Sequence, residues 1–141
     1  MKILALDLGD KWVGTALSDP LGITCTPYKT IEFSKLKEFL QEILNQEQID
    51  TVITGYPMTL TGTQSEQTQK ILALFKNLEK DFSLYNNKKI NWVLWDERLS
   101  SKRAQALTKG HHDKKTKEKN QARAAAFILQ SYLDHQAFLK Q

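Results

Sequence analysis

The spacing of hydrophobic and polar residues changes along the chain, and this change predicts where strands give way to helices. Residues 3–8, ILALDL, form an apolar run that predicts a buried strand, and a Gly-Asp pair after it supplies a turn. Residues 11–18 then alternate roughly between apolar and polar, while residues 23–31 are rich in β-branched and aromatic side chains, with Pro27 favouring an edge position. Three strands with short connections predict an antiparallel meander.

The second part of the chain changes to helical spacing interrupted by short apolar runs. The pattern predicts a helix at 36–44, a strand at 51–55, a helix at 71–78, a strand at 90–95, a short helix at 100–107 and a last helix from Asn120 to His135. Strands that alternate with helices favour parallel pairing through right-handed crossovers. The expected fold class is therefore α/β, as a single domain over residues 1–141. Its mixed five-stranded sheet has three antiparallel and then two parallel strands, and helices flank it.

Asp7 is the one carboxylate inside the first apolar run. Aspartate is a poor strand former, and burying its charge without a partner is costly. Alternation places Asp7 on the face shared by Ile3 and Ala5, near the carboxyl end of the strand, where sites gather in open α/β sheets. A purely structural role explains the residue equally well, because backbone amides of the following turn could donate hydrogen bonds to the carboxylate.

A second acidic cluster follows the last predicted strand. Asp96 and Glu97 would point to opposite faces if that strand continued. At least one of them is therefore expected to lie on the same face as Asp7, at the rim formed by the carboxyl ends of the strands. The alternative is a solvated strand end in which a carboxylate pairs with Arg98. The loop at 54–63 either lies at the mouth of the same rim or only connects two elements. Converging carboxylates repel and need a cation, and oxygen ligands favour Mg²⁺ or Mn²⁺.

Charge adds a candidate partner. The formal net charge is +4 and the pI is about 9.1, which permits a polyanionic partner without proving one. Lysines suit phosphate contacts without base specificity, although a charge run is more commonly a solvated face. The residues predicted to bind nucleic acid are Lys11, Arg98, Lys114, Lys115, Lys117, Lys119 and Arg123.

Other classes of protein are disfavoured. The single cysteine, Cys25, rules out an internal disulfide and fits a reducing compartment. The chain begins on a strand pattern rather than a signal peptide, and no apolar run approaches the ~18 residues that span a bilayer. A cytoplasmic protein with no membrane contact is expected.

Four short motifs together resemble the YqgF/RuvX family of RNase H-like proteins, which are described as Holliday junction resolvases or pre-16S rRNA nucleases. The motifs are LDLGDKWVGTALSD, GYP with the following TGT, WDERLSS and AAAFILQSYLD. The resemblance implies an acidic site of Asp7 and Glu97 that binds Mg²⁺ or Mn²⁺. It also places the third family carboxylate nine residues before Gln130, where this chain has Gln121. Gln121 thus occupies a catalytic position of the family but lacks the negative charge of its carboxylate. Glu118, three residues earlier, could supply that charge instead.

The resemblance implies a metal-dependent hydrolase that cleaves phosphodiester bonds in structured nucleic acid. Processing of the 5′ end of pre-16S rRNA in ribosome biogenesis is the favoured reaction, with catalysis weakened by Gln121. Holliday junction resolution is one alternative, and a non-catalytic ribosome-maturation factor that binds nucleic acid is another. An actin-type ATPase ranks last, because such proteins need two domains and this chain has one copy of the motif. Either a monomer or a homodimer is expected, since a resolvase would act as a dimer on a two-fold substrate.

Overall fold

The structure is a computed structural model that describes residues 1–56, 66–96 and 117–140. Within these ranges the strands are β1 (Lys2–Leu8), β2 (Trp12–Ser18), β3 (Cys25–Glu32), β4 (Ile49–Tyr56), β5 (Leu84–Tyr85), β6 (Lys88–Lys89) and β7 (Asn91–Asp96). The helical elements are a 3₁₀ turn (Phe33–Lys35), α1 (Leu36–Gln46), α2 (Glu66–Phe82) and α3 (Lys117–Leu139). The predicted short helix at 100–107 lies outside the described residues.

The main sheet has five strands in the order β3-β2-β1-β4-β7. β1, β2 and β3 pair antiparallel, whereas β4 pairs parallel with both β1 and β7. This arrangement confirms the predicted mixed sheet. Pro27 lies on an edge strand, as its missing amide proton requires.

Each face of the sheet packs against its own helices, and alternation along β1 shows why. Leu4, Leu6 and Leu8 are buried in the core formed with α1 and α2. Ile3 and Ala5 face α3 instead, in a second core with many small side chains. Asp7 continues the series of Ile3 and Ala5, so its side chain lies on the α3 face. No helix within the described ranges is long and apolar enough to cross a membrane.

The β5–β6 hairpin was not predicted from the sequence. Two-residue strands are too short for alternation to be visible, yet their turn carries a signal. Asn86 and Asn87 have φ angles of 53° and 63°, the left-handed region that asparagine tolerates and that hairpin turns of this kind require. Tyr85 ties the hairpin to α1 by donating from its hydroxyl to the Gln41 carbonyl at 3.1 Å.

Candidate functional site

Asp7 lies at the carboxyl end of the central strand and is largely buried. Burial raises the pKa of the Asp7 carboxyl to about 6, because removal from water disfavours the charged form. Within the residues that the structure describes, neither a hydrogen bond nor a salt bridge reaches this carboxylate. A nearby cation would stabilise the charged form of such a buried, unpaired carboxylate.

The turn after β1 does not donate backbone hydrogen bonds to the Asp7 carboxylate, as a purely structural role would require. The Gly9 amide donates to the Trp12 carbonyl at 3.1 Å rather than to the carboxylate. Amide donors would also lower the pKa of Asp7, and its pKa is raised. The described residues therefore offer no structural reason for a carboxylate at this position.

Gln121 lies beside Asp7 because α3 packs very closely against β2. Asp7 pairs directly with Gly14 across the two strands, which places their Cα atoms about 4.5–5.5 Å apart. A Cβ atom added to Gly14 would overlap the backbone carbonyl of Gln121, so the helix lies directly over this glycine. The start of α3 therefore lies over β2, the strand next to the one that carries Asp7. Gln121 itself is half-buried, and its amide can offer both an oxygen acceptor and N–H donors.

Gly14 is a site residue that the sequence analysis missed. Three small side chains belong to the core between this face of the sheet and α3, and all are nearly or fully buried: Ala16, Ala125 and Ala126. Small residues permit the close approach of helix and sheet on which the Asp7–Gln121 proximity depends. A glycine inside a strand pattern is a recognisable signal of such an approach.

The second acidic cluster is split between the two faces of the sheet. Trp95 is buried on the α3 face, where its ring packs edge-on against Tyr132 with centroids 5.3 Å apart. Asp96 follows it in β7 and so points to the opposite face, away from the side of Asp7. Asp96 is therefore not the predicted second carboxylate of the rim. Glu97 and Arg98, which follow β7, lie outside the described residues.

The predicted basic residues are described only in part. Lys11 is exposed in the β1–β2 turn, a few residues from Asp7, and its ammonium lies 6.0 Å from the centre of the Trp12 ring. Arg123 is half-buried on α3, two residues beyond Gln121. The other members of the set lie outside the described residues or have side chains that do: Arg98, Lys114, Lys115, Lys117 and Lys119.

The donor types at this edge suit a hard divalent cation. Asp7 supplies carboxylate oxygens and Gln121 an amide oxygen, and both are ligands that Mg²⁺ and Mn²⁺ accept. Among the described residues, no group of three or more His, Cys, Asp or Glu side chains is placed to hold a metal. A complete cation site therefore needs at least one further ligand, and Glu97 is the predicted one.

The sequence matches a known protein family over most of its length. The family model described as "RuvX: Holliday junction resolvase" matches residues 1–135. A Clostridium tetani protein named "Putative pre-16S rRNA nuclease" is 37% identical over 139 residues, covering 95% of this chain and 96% of its own. A Geobacillus sp. protein of the same name is 37% identical over 141 residues, covering 95% and 98%.

Solved structures share the fold at low sequence identity. T. thermophilus RuvC in complex with a Holliday junction substrate has a TM-score of 0.61 and 8% identity, covering 98% of this chain and 96% of its own. The fowlpox virus resolvase in complex with junction DNA has a TM-score of 0.50 and 12% identity, covering 99% and 98%. The RNase H-like architecture predicted for this chain is confirmed.

Proposed function

This chain belongs to the RuvX family of Holliday junction resolvase-like proteins, and from that premise we propose that it is a metal-dependent nuclease that processes the 5′ end of pre-16S rRNA. The observation that carries the proposal is Asp7, a buried carboxylate at the carboxyl end of the central strand that no described residue neutralises. The names of the Clostridium and Geobacillus relatives support rRNA as the substrate, since both proteins match nearly the full length of this chain.

The reaction proposed is hydrolysis of a phosphodiester. A water oxygen bonds to phosphorus while the bond to the leaving ribose oxygen breaks. The proton from water ends on that oxygen, and a phosphate monoester and a hydroxyl group result. A bound divalent cation would supply charge stabilisation to the phosphate oxygens and would lower the pKa of the attacking water.

The protein's own residues supply binding and orientation. Asp7 and Glu97 are proposed to hold the cation, and the amide of Gln121 adds an uncharged ligand or a hydrogen bond to the phosphate. Lys11, next to the Asp7 strand end, and Arg123, on the same helix as Gln121, provide positive charge for flanking phosphates. The missing charge at position 121 predicts slow cleavage or a need for more metal.

Two other functions have specific support. The uncharged Gln121 beside Asp7 favours a non-catalytic ribosome-maturation factor that binds nucleic acid. The description of the matching family model favours junction resolution. Either function would use the same edge of the sheet.

A metal-titrated cleavage assay separates the three functions. Purified protein is incubated with a pre-16S rRNA 5′ fragment, a four-way DNA junction and a plain duplex, each over a range of Mg²⁺ and Mn²⁺. We expect cleavage of the rRNA fragment that rises with metal and is absent in Asp7→Asn. Preferred cleavage of the junction would favour the resolvase. Tight binding without cleavage at any metal concentration would favour the maturation factor.

A further inference from the structure

A cavity of about 270 Å³ opens on the α1–α2 face of the sheet, at the end of β1. Its floor is apolar and is formed by Leu8, Ile71 and Leu74. Its mouth carries the ring of Phe33 and the polar side chains of Asp10, Lys70 and Gln67. We call this cavity the β1-end pocket, and the proposed cation site does not use it.

The β1-end pocket is a direct neighbour of the Asp7 site through the sheet. Leu8 follows Asp7 in β1, so their Cα atoms are about 3.8 Å apart while their side chains point to opposite faces. The turn that follows also links the two sites, because the Phe33 amide donates to the Lys11 carbonyl at 2.9 Å. A nucleic-acid strand that continued from Asp7 past the end of β1 would reach the mouth of this pocket.

The chemistry of the pocket matches a heteroaromatic ring that carries hydrogen-bonding groups. Phe33 is 38% exposed at the mouth, which leaves its ring available for stacking. Asp10 and Lys70 are both exposed, and within the described part of the chain neither takes part in a salt bridge. The pocket thus presents an acceptor and a donor beside an apolar slot. Pockets for drug-sized ligands span roughly 300–1,000 Å³, so this volume suits a single base rather than a base pair.

We propose that the β1-end pocket binds one unpaired base of the nucleic acid that the Asp7 site acts on, with guanine as the best fit. This inference rests on the proposed function and adds a determinant of substrate choice to it. Guanine carries two N–H donors beside a carbonyl oxygen on its pairing edge, which matches the Asp10 carboxylate next to the Lys70 ammonium. Phe33 stacks on the ring, in the way that unpaired RNA bases are recognised on aromatic side chains.

Equilibrium binding without metal tests the pocket separately from cleavage. Fluorescence anisotropy in EDTA compares a short single strand of uridines with the same strand carrying one central guanosine. We expect the wild-type protein to bind the guanosine strand roughly 5- to 150-fold more tightly, the range that one stacked and hydrogen-bonded base supplies. Phe33→Ala should weaken this binding about tenfold. Asp10→Asn should remove most of the preference for guanosine.

Tyr28→Ala is the matched control, because Tyr28 is also 38% exposed but lies outside the pocket. It should leave both affinities unchanged. If Phe33→Ala does not fold, Phe33→Leu removes the ring and keeps an apolar side chain, and the two strands still test the wild-type protein. Equal affinity of wild type for both strands, or equal losses of affinity in the Phe33 and Tyr28 variants, would overturn the pocket and leave the nuclease intact. Failure of the wild-type protein to bind any RNA or junction would overturn both proposals.

Discussion

At the scale of single residues, Asp7 is the position where stability and function oppose each other. Its face could be predicted from alternation with Ile3 and Ala5, because the period of a strand is two. Its pKa of about 6 could not be predicted, since that value depends on how completely the folded chain buries the strand end. A carboxylate that costs stability and has no described partner is expected where function requires the charge.

The raised pKa of Asp7 predicts how stability depends on pH. The folded protein holds this proton up to about pH 6, whereas the unfolded chain releases it near the ordinary value of 3.8. The contribution of Asp7 to stability is therefore greatest below pH 4, falls as the pH rises to about 6, and is constant above that. In the absence of metal, Asp7→Asn should flatten this part of the profile and raise the free energy of unfolding at pH 7 by up to roughly 3 kcal/mol.

Urea unfolding of both proteins between pH 4 and pH 7 measures that difference. Asp50→Asn is the control, since Asp50 lies at the opposite end of the sheet in β4. A loss of stability in Asp7→Asn at pH 7 would contradict the burial argument and would favour a structural role for the carboxylate.

Gln121 is the second residue whose chemistry can be tested alone. A carboxylate here would hold a cation more tightly, because opposite charges at short range stabilise each other. We predict that Gln121→Asp, and the longer Gln121→Glu, lower the Mg²⁺ concentration needed for half-maximal cleavage. Gln136→Glu adds the same charge on the same helix, about 22 Å away along its axis, and should change nothing. If both variants at 121 fold normally and show the wild-type metal dependence, the missing charge at this position does not determine how much Mg²⁺ cleavage requires.

At the scale of elements, the contact of α3 with β2 positions the site. Gly14 allows the Gln121 backbone to lie against the sheet, so the smallest possible addition there should separate the two. We predict that Gly14→Ala destabilises the protein by about 1–3 kcal/mol, the usual cost of overpacking, since backbone atoms have to move. The same shift should weaken cation binding, because it carries the start of α3 away from Asp7.

Thermal unfolding and Mn²⁺ titration of Gly14→Ala measure the two effects together. Ala124→Gly is the reciprocal control, because it loosens α3 at a half-buried position without adding an atom. Normal stability and normal cation affinity in Gly14→Ala would show that the close approach does not position the site.

The long elements could be predicted well from the sequence and the short ones poorly. β1 and β4 are recognisable as apolar runs because both of their faces are buried, and α1 and α3 show helical spacing. The predicted positions of these four elements are confirmed within a few residues. The β5–β6 hairpin and the 3₁₀ turn are too short to show a period. The position of Asp96 on the far face needed the register of β7, which the packing of Trp95 in the α3-side core supplies. The proposed roles of Glu97, Arg98 and the lysine segment remain predictions.

At the scale of the whole molecule, a net charge of +4 favours association with a polyanion. We predict that neutral replacement of the four central lysines of the basic segment weakens binding to RNA, junction and duplex alike. The slope of log affinity against log salt concentration should fall by roughly 0.7–0.9 for each phosphate that the variant no longer neutralises. The residues replaced are Lys114, Lys115, Lys117 and Lys119.

A second quadruple variant controls for net charge, with four lysines of α2 and the β5–β6 hairpin replaced instead. These residues are Lys76, Lys80, Lys88 and Lys89. Equal effects of the two variants would mean that net charge alone, rather than the basic segment, determines binding.

Calorimetric titration of Mn²⁺ into the wild-type protein and Asp7→Asn measures cation binding at this carboxylate without any substrate. We predict that the wild-type protein binds Mn²⁺ and that Asp7→Asn lowers the affinity at least tenfold, a difference of about 1.4 kcal/mol, while the variant remains folded. Asp50→Asn should match the wild type. Unchanged affinity in Asp7→Asn would show that the Asp7 carboxylate is not part of a cation site.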